Sequence, residues 1–252
     1  MCNNLSLLLF IQFQLYITIL AYPSLRHAIE DLPGDQLLRI EGAIDPNLEI
    51  GEIHRRVFHA GGPALFFEKV KGSPFVALSN LYGTKERTAY LFRHQLEGVQ
   101  RLIQLKADPS DLLRHPGKFL KTPFTAMHGL PLKARWNKPV LSGTTTLDQL
   151  PQVVSWPKDG GAFITLPQVM SLPPGDKRIM NSNIGMYRIQ ISGNDYIPNL
   201  EAGMHYQLHR GIGVHHTLYN QTRDEFKVTI FVGGPPSHAF AAIMPLPEGL
   251  SE

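Results

Sequence analysis

The stretch from Met180 to Gln190, "MNSNIGMYRIQ", sets two asparagines, a glycine and an arginine beside the start of a β-type run. A carboxamide and a guanidinium separated by small or apolar residues have two readings. They are polar trim at a loop-to-strand junction, or they are part of a site. Continued as "GMYRIQISG", the alternation of a strand puts Tyr187, Ile189 and Ile191 on one face and Met186, Arg188 and Gln190 on the other. The run "MHYQLHRG" divides in the same way, with His205, Gln207 and His209 opposite Met204, Tyr206 and Leu208. If the two polar faces meet, Arg188, Gln207 and His209 line one cavity and Asn183 stands at its edge. An amide oxygen, an imidazole and a carboxylate together suit Mn²⁺ or Mg²⁺. An arginine beside them would hold a carboxylate or phosphate in bidentate fashion.

Plainer alternatives stand next to these. Arg188 could be a surface ion-pair residue, and His209 a hydrogen-bonded histidine at a strand end. His205 and His209 have the spacing of a zinc pair on a helix, but Gly211 and Gly213 argue against a helix there. His215-His216 reads as turn or surface. "GGPPSH", residues 233–238, is a poor phosphate nest, because its two prolines remove donors.

Outward from this stretch, residues 131–252 carry short strand candidates separated by Gly, Pro and Asn: "GAFITLPQVM", "GMYRIQISG", "MHYQLHRG", "KVTIFVGG" and "HAFAAIMPLP". Residues 24–130 have a different texture. Ser24 can cap a helix over "LRHAIEDL", "DQLLRIEGAI" reads as a strand, and "DPNLEIGEIHRRVFHAGG" as a helix capped by Asp45, with Pro46 at its first position and Gly61 at its end. "PALFFEKV" and "FVALSNLYG" are strand-like, and "TKERTAYLFRHQLEGVQRLIQLKAD" has apolar residues at helical spacing. A turn-rich basic run from Phe119 to Pro139 separates the two textures. The predicted class is α+β: an N-terminal α/β unit, residues 24–130, then a mostly β unit of barrel or sandwich type, residues 131–252.

Composition narrows the functions. Of 252 residues, 43% are hydrophobic and 18% charged, as in a globular protein. The net charge is only +3 and no basic block stands out, so nucleic acid is not expected as a partner. The single cysteine, Cys2, excludes an intrachain disulfide and a cysteine-based metal site. The apolar run Leu5–Tyr22 carries no charge, and Gln12 and Gln14 interrupt it. It stays open as an extension (residues 1–23), a membrane or signal segment, or a packed element.

Taken together, "EIHRRVFHAGGPALFFEKVKGSPFVALSNLYGT", "QLPQVVSWPKDGGAFITLP", "MNSNIGMYRIQ", "YQLHRGIGVHH" and "FVGGPPSHAFAAIMPLPEGLSE" resemble the UbiD family of prenylated-FMN-dependent decarboxylases, of the polyprenyl-hydroxybenzoate and ferulic acid decarboxylase type. The resemblance runs from Ser24 to Glu252. It implies a flavin-reductase-like split β-barrel, incomplete here, and a carboxy-lyase acting on aromatic or α,β-unsaturated acids. It also implies a divalent metal held by Asn183, His209 and Glu252, Mn²⁺ or Mg²⁺, with K⁺ close by. The cofactor cradle would comprise Met186, Tyr187, Arg188, His205, Tyr206, Gln207, Arg210, Gly211, Met244 and Pro245, and Arg188 would also act in catalysis. Members of the family run to about twice this length, so the acidic proton donor and the remaining barrel strands would lie beyond Glu252. The expected partners are therefore the missing C-terminal half or, in a full enzyme, a second copy, in the cytoplasm, with membrane association through the apolar segment left open. Other readings are a non-catalytic flavin- and metal-binding remnant and, less favoured, a flavin-reductase-like oxidoreductase.

Overall fold

The computed structural model describes residues 22–120, 122, 143–208, 211–222 and 224–243. Among them no helix is long and apolar enough to cross a membrane. All of the apolar run except Tyr22, and most of the basic run 119–139, lie outside the described residues.

The first sheet contains β1 (Leu37–Ile44), β2 (Ala64–Val70) and β3 (Ala77–Ser79), in that order. β1 and β2 are parallel, joined by helix α2 (Glu49–His59), and β3 is antiparallel to β2. Helices cover both faces. On one, Ile50, Ile53 and Val57 of α2, spaced for a single helical stripe, pack on Ile44, Leu65, Phe67 and Val70. On the other, helices α1 (Leu25–Glu30) and α3 (Lys85–Leu91) close over Ala64 with Ala28, Leu32, Leu81 and Leu91.

Ser24 caps α1 as expected, its hydroxyl accepting from the His27 amide. α2 starts later than the sequence suggested. Asp45 makes a turn instead, accepting from the Asn47 amide while its own N–H donates to Glu49 Oε2. The helix then opens after Leu48, which sits at φ +70°. That left-handed conformation is costly for leucine, and the Leu48 N–H is held there by the Val154 carbonyl at 2.8 Å. The long helical run 84–108 is broken at Phe92 into α3 and α4 (Arg93–Ala107), followed by the short α5 (Asp111–Arg114). Arg87 on α3 is 1% exposed and is satisfied by carbonyls: its Nε donates to Leu81, Nη2 to Asn80 and Nη1 to Gly62.

The second half holds two further three-stranded sheets, β4 (Phe163–Ile164), β7 (Ile189–Gln190), β8 (Gly203–Met204) in the order β4-β7-β8, and β5 (Gln168–Ser171), β6 (Asn183–Met186), β9 (Val228–Phe231) in the order β6-β5-β9. "GAFITLPQVM" and "GMYRIQISG" are each split. They form one antiparallel hairpin bent at a corner, with β4 pairing β7 in one sheet and β5 pairing β6 in the other. Between Ile164↔Ile189 and Gln168↔Met186, three residues (Thr165, Leu166, Pro167) face two (Tyr187, Arg188), so the corner contains one extra residue. An unpaired extra residue bends a strand, and Pro167 has no N–H to offer a ladder. A strand running straight through Tyr187 and Arg188, with its two alternating faces, is therefore not formed.

Two expectations about secondary structure are overturned. Residues Gly211–Thr222 form helix α6 despite Gly211 and Gly213. Both glycines serve close packing: a β-carbon on Gly213 would lie 2.3 Å from the Leu208 carbonyl oxygen. The run 238–247 reads as a strand in the sequence, but its start belongs to helix α7 (Pro236–Ala241), with proline in its first turn, where its missing N–H is unneeded. Ile212 of α6 is fully buried among Ala162, Val169, Ile189 and Ile191, so one core serves both sheets. The described residues thus form an α+β fold of small sheets without a closed barrel.

The start of the described fold is clasped. Tyr22 donates to Asp31, and Arg93 donates to both Asp31 and the Tyr22 hydroxyl, each at 2.7 Å. The Tyr22 hydrogen bond, followed by those from Arg93, holds the Asp31 carboxyl below its ordinary range. A depressed folded value adds stability above the unfolded pKa, and this is lost as pH falls through the folded one. Tyr22→Phe is expected to lower the melting temperature at pH 7, and Asp31→Asn to flatten the acid limb of stability below about pH 4. Thermal melts across pH measure both.

Candidate functional site

The stretch Asn183–Arg188 is built around two absent β-carbons. Register places Asn183 and Gly185 of β6 on the same face as Ser171 and Val169 of β5. Tyr187 folds back over this face. A β-carbon on Gly185 would lie 2.3 Å from the Tyr187 ring, so only glycine lets the ring occupy that position. The ring's hydroxyl donates to Asn183 Oδ1 at 3.4 Å. From the other side, Gly211 at the start of α6 meets the Asn183 carboxamide, and a β-carbon there would lie 2.4 Å from Nδ2. Asn183 is 7% exposed, and the spacing N-x-G-x-Y follows from this packing.

α6 fastens the arrangement. His215 is hydrogen-bonded to Ser171 Oγ at 2.9 Å, and Ser171 is the residue paired with Asn183 across β5 and β6. His216 is hydrogen-bonded to the Tyr206 hydroxyl and stacks on Phe226, with ring centroids 5.3 Å apart. These histidines are half-buried clamps, not turn or surface residues. The signal for them was present: Ile212, His215, His216 and Tyr219 have the i, i+3, i+4, i+7 spacing of one helical face.

Of the residues expected in the site, the structure brings Asn183, Tyr187 and Gly211 into contact. Tyr206 lies edge-on to Tyr187, ring centroids 6.3 Å apart. Met186 shares its face with Gln168 and not with Asn183. Arg188 stands at the corner, exposed, its guanidinium carbon 4.6 Å from the centre of the Phe163 ring. His205 and Gln207 are exposed in irregular chain after β8, and the His205 amide donates to the Arg188 carbonyl. His209, Arg210, Met244, Pro245 and Glu252 lie outside the described residues. Among the described residues no group of three or more His, Cys, Asp or Glu could hold a metal.

A family profile described as the 3-octaprenyl-4-hydroxybenzoate carboxy-lyase Rift-related domain matches residues 133–252, and the profile of that carboxy-lyase's N-terminal domain matches residues 34–106. The chain belongs to the UbiD family. An uncharacterized protein of Chlamydia trachomatis is 37% identical over 237 residues, covering 91% of this chain and 39% of the relative. A Chlamydia pneumoniae protein named as a 4-hydroxybenzoate decarboxylase component is 37% identical over 235 residues, covering 86% of this chain and 36% of the relative. Among solved structures, the closed form of Sedimentibacter hydroxybenzoicus vanillic acid decarboxylase superposes with a TM-score of 0.70 at 21% identity, over 91% of this chain and 47% of that one. The UbiD-class enzyme HmfF of Pelotomaculum thermopropionicum, in complex with prFMN, gives 0.66 at 20% identity, over 91% and 48%. The chain therefore spans less than half the length of these relatives.

If the Gly185 gap is filled by the Tyr187 ring, the two positions are coupled. Gly185→Ala is expected to destabilise the fold by about 1–3 kcal/mol, the range for overpacking. Combined with Tyr187→Leu, it should cost less than the sum of the two single changes. Urea denaturation of the four chains measures the coupling.

Proposed function

We propose that this chain supplies the N-terminal part of a carboxy-lyase site that decarboxylates aromatic or α,β-unsaturated acids with prenylated FMN and a divalent metal. The observation that supports this reading most is the Asn183 carboxamide, buried between Gly211 and the Tyr187 ring, with Arg188 exposed beyond it. The donor chemistry fits: an amide oxygen is a hard ligand suited to Mn²⁺ or Mg²⁺. His209 and Glu252 would complete the set, with K⁺ beside it. Prenylated FMN, when bound, supplies the electron sink for the carbon that loses CO₂.

The chain's own groups do the rest. Asn183, fixed in place, would help to hold the metal, whose charge would offset that of the flavin phosphate. Arg188 would receive the substrate carboxylate as a bidentate donor. Met186, Tyr187, His205, Tyr206, Gln207, Arg210, Gly211, Met244 and Pro245 would form the cradle. Because the chain spans less than half of its relatives, turnover is proposed to need the remaining polypeptide, in the same chain or another. The same span favours the second reading, a flavin- and metal-binding piece that does not turn over.

The metal anchor can be tested without activity. Asn183→Ala and His209→Ala are each expected to weaken Mn²⁺ binding by about tenfold or more. His59→Ala, an exposed histidine on α2, should leave it unchanged. Titration of the free Mn²⁺ paramagnetic resonance signal reads all three, and a loss in His59→Ala equal to that in His209→Ala would point to general histidine binding.

A further inference from the structure

We propose that Phe163 is a positioning residue that holds the Arg188 guanidinium ready for an anion; the inference rests on the reading of Arg188 as a carboxylate- or phosphate-facing group. Phe163 is 6% exposed and is fixed from two sides. Its amide donates to the Val153 carbonyl at 2.9 Å, and in the ladder it pairs with Gln190. The backbone beneath the buried ring is thus held on both sides, and the Arg188 guanidinium carbon rests 4.6 Å from the ring centre. His205 meets the same ring edge-on, with centroids 5.6 Å apart and planes at 72°. The two side chains are linked again through the backbone, where the His205 amide donates to the Arg188 carbonyl at 3.1 Å.

The argument turns on donors. Among the described residues, the ring contact is the one interaction of the Arg188 side chain. A carboxylate partner would fix the guanidinium but occupy two of its N–H groups. An aromatic face fixes it through the ring quadrupole and consumes none. The ring contact itself leaves the guanidinium N–H groups available to an arriving carboxylate or phosphate, while much of the freedom of a long side chain is already lost. The corner at Thr165–Pro167 makes this geometry accessible, because Arg188 leaves β6 beside the strand that carries Phe163.

The test uses the full chain with Phe163→Leu, Phe163→Trp, Arg188→Met and the Phe163→Leu/Arg188→Met double variant. In NMR spectra, the Arg188 Nε–H and δ-methylene signals should be displaced upfield by the ring current in the parent chain. The displacement should vanish in Phe163→Leu and persist in Phe163→Trp, which restores an aromatic face. FMN affinity, read by quenching of flavin fluorescence, should fall about two- to fivefold in Phe163→Leu, the range for an exposed cation–π contact. The same change should have less effect once Arg188 is Met, and Phe163→Trp should retain parent affinity. Retention of the displaced signals in Phe163→Leu would overturn the proposal. So would an equal loss of FMN affinity with and without Arg188, the mark of a scaffold role. If the parent chain binds no FMN, the flavin reading of the site fails, and the NMR comparison still decides whether Phe163 holds Arg188.

Discussion

The hairpin formed by residues 163–171 and 183–190 cannot run straight, because Pro167 has no amide hydrogen and the register gains one residue on its side. Much of the second half follows from that corner. It divides the hairpin between two sheets, leaves Tyr187 and Arg188 outside both ladders, and turns them to different tasks. Tyr187 lies back along β6 over Gly185, and Arg188 reaches across to Phe163. A continuous ladder would have given both side chains to the two faces of one sheet.

The sheet β6-β5-β9 is then held by a helix on each face. α6 lies on the Asn183 side, where His215 grips Ser171. α7 lies on the side of Gln168, Met186 and Phe231, where His238 meets the Phe231 ring at 5.4 Å. Desolvation lowers the pKa of the His238 imidazole from its ordinary value. Among the described residues, the buried Gln168 side-chain oxygen on the same face has no hydrogen-bond partner.

Local chemistry was legible in the sequence wherever a single element decides it. The Ser24 cap and the Gly61 stop depend on neighbours in the chain and formed as expected. What was not legible depends on residues far apart. Gly211 and Gly213 weaken an isolated helix, and only the Asn183 carboxamide and the Leu208 carbonyl explain why they stand in one. Alternation in "GMYRIQISG" suggested one strand because both halves of a bent strand still alternate, and the bend is set by Pro167 on the partner strand. Asn183 and Arg188 could be singled out from their types and spacing. The role of Phe163 could not, since an apolar strand residue carries no sign of the guanidinium above it.

The contact between α2 and residues 153–156 bears on how such proteins can be recombined. Arg55 donates to the Ser155 carbonyl at 2.8 Å and lies 4.2 Å from the Trp156 ring centre, and a β-carbon on Gly51 would come within 2.9 Å of the same carbonyl oxygen. One side of this seam belongs to the segment matched by the N-terminal profile, and the other to the segment matched by the second profile. A chimera that exchanges the first segment between relatives would graft a new α2 onto a foreign 153–156 turn. Gly51, Arg55 and the tryptophan that receives the guanidinium would have to be inherited together, so the natural crossover point for shuffling is not the interval between the two profiles but a cut that keeps both sides of the seam from one parent.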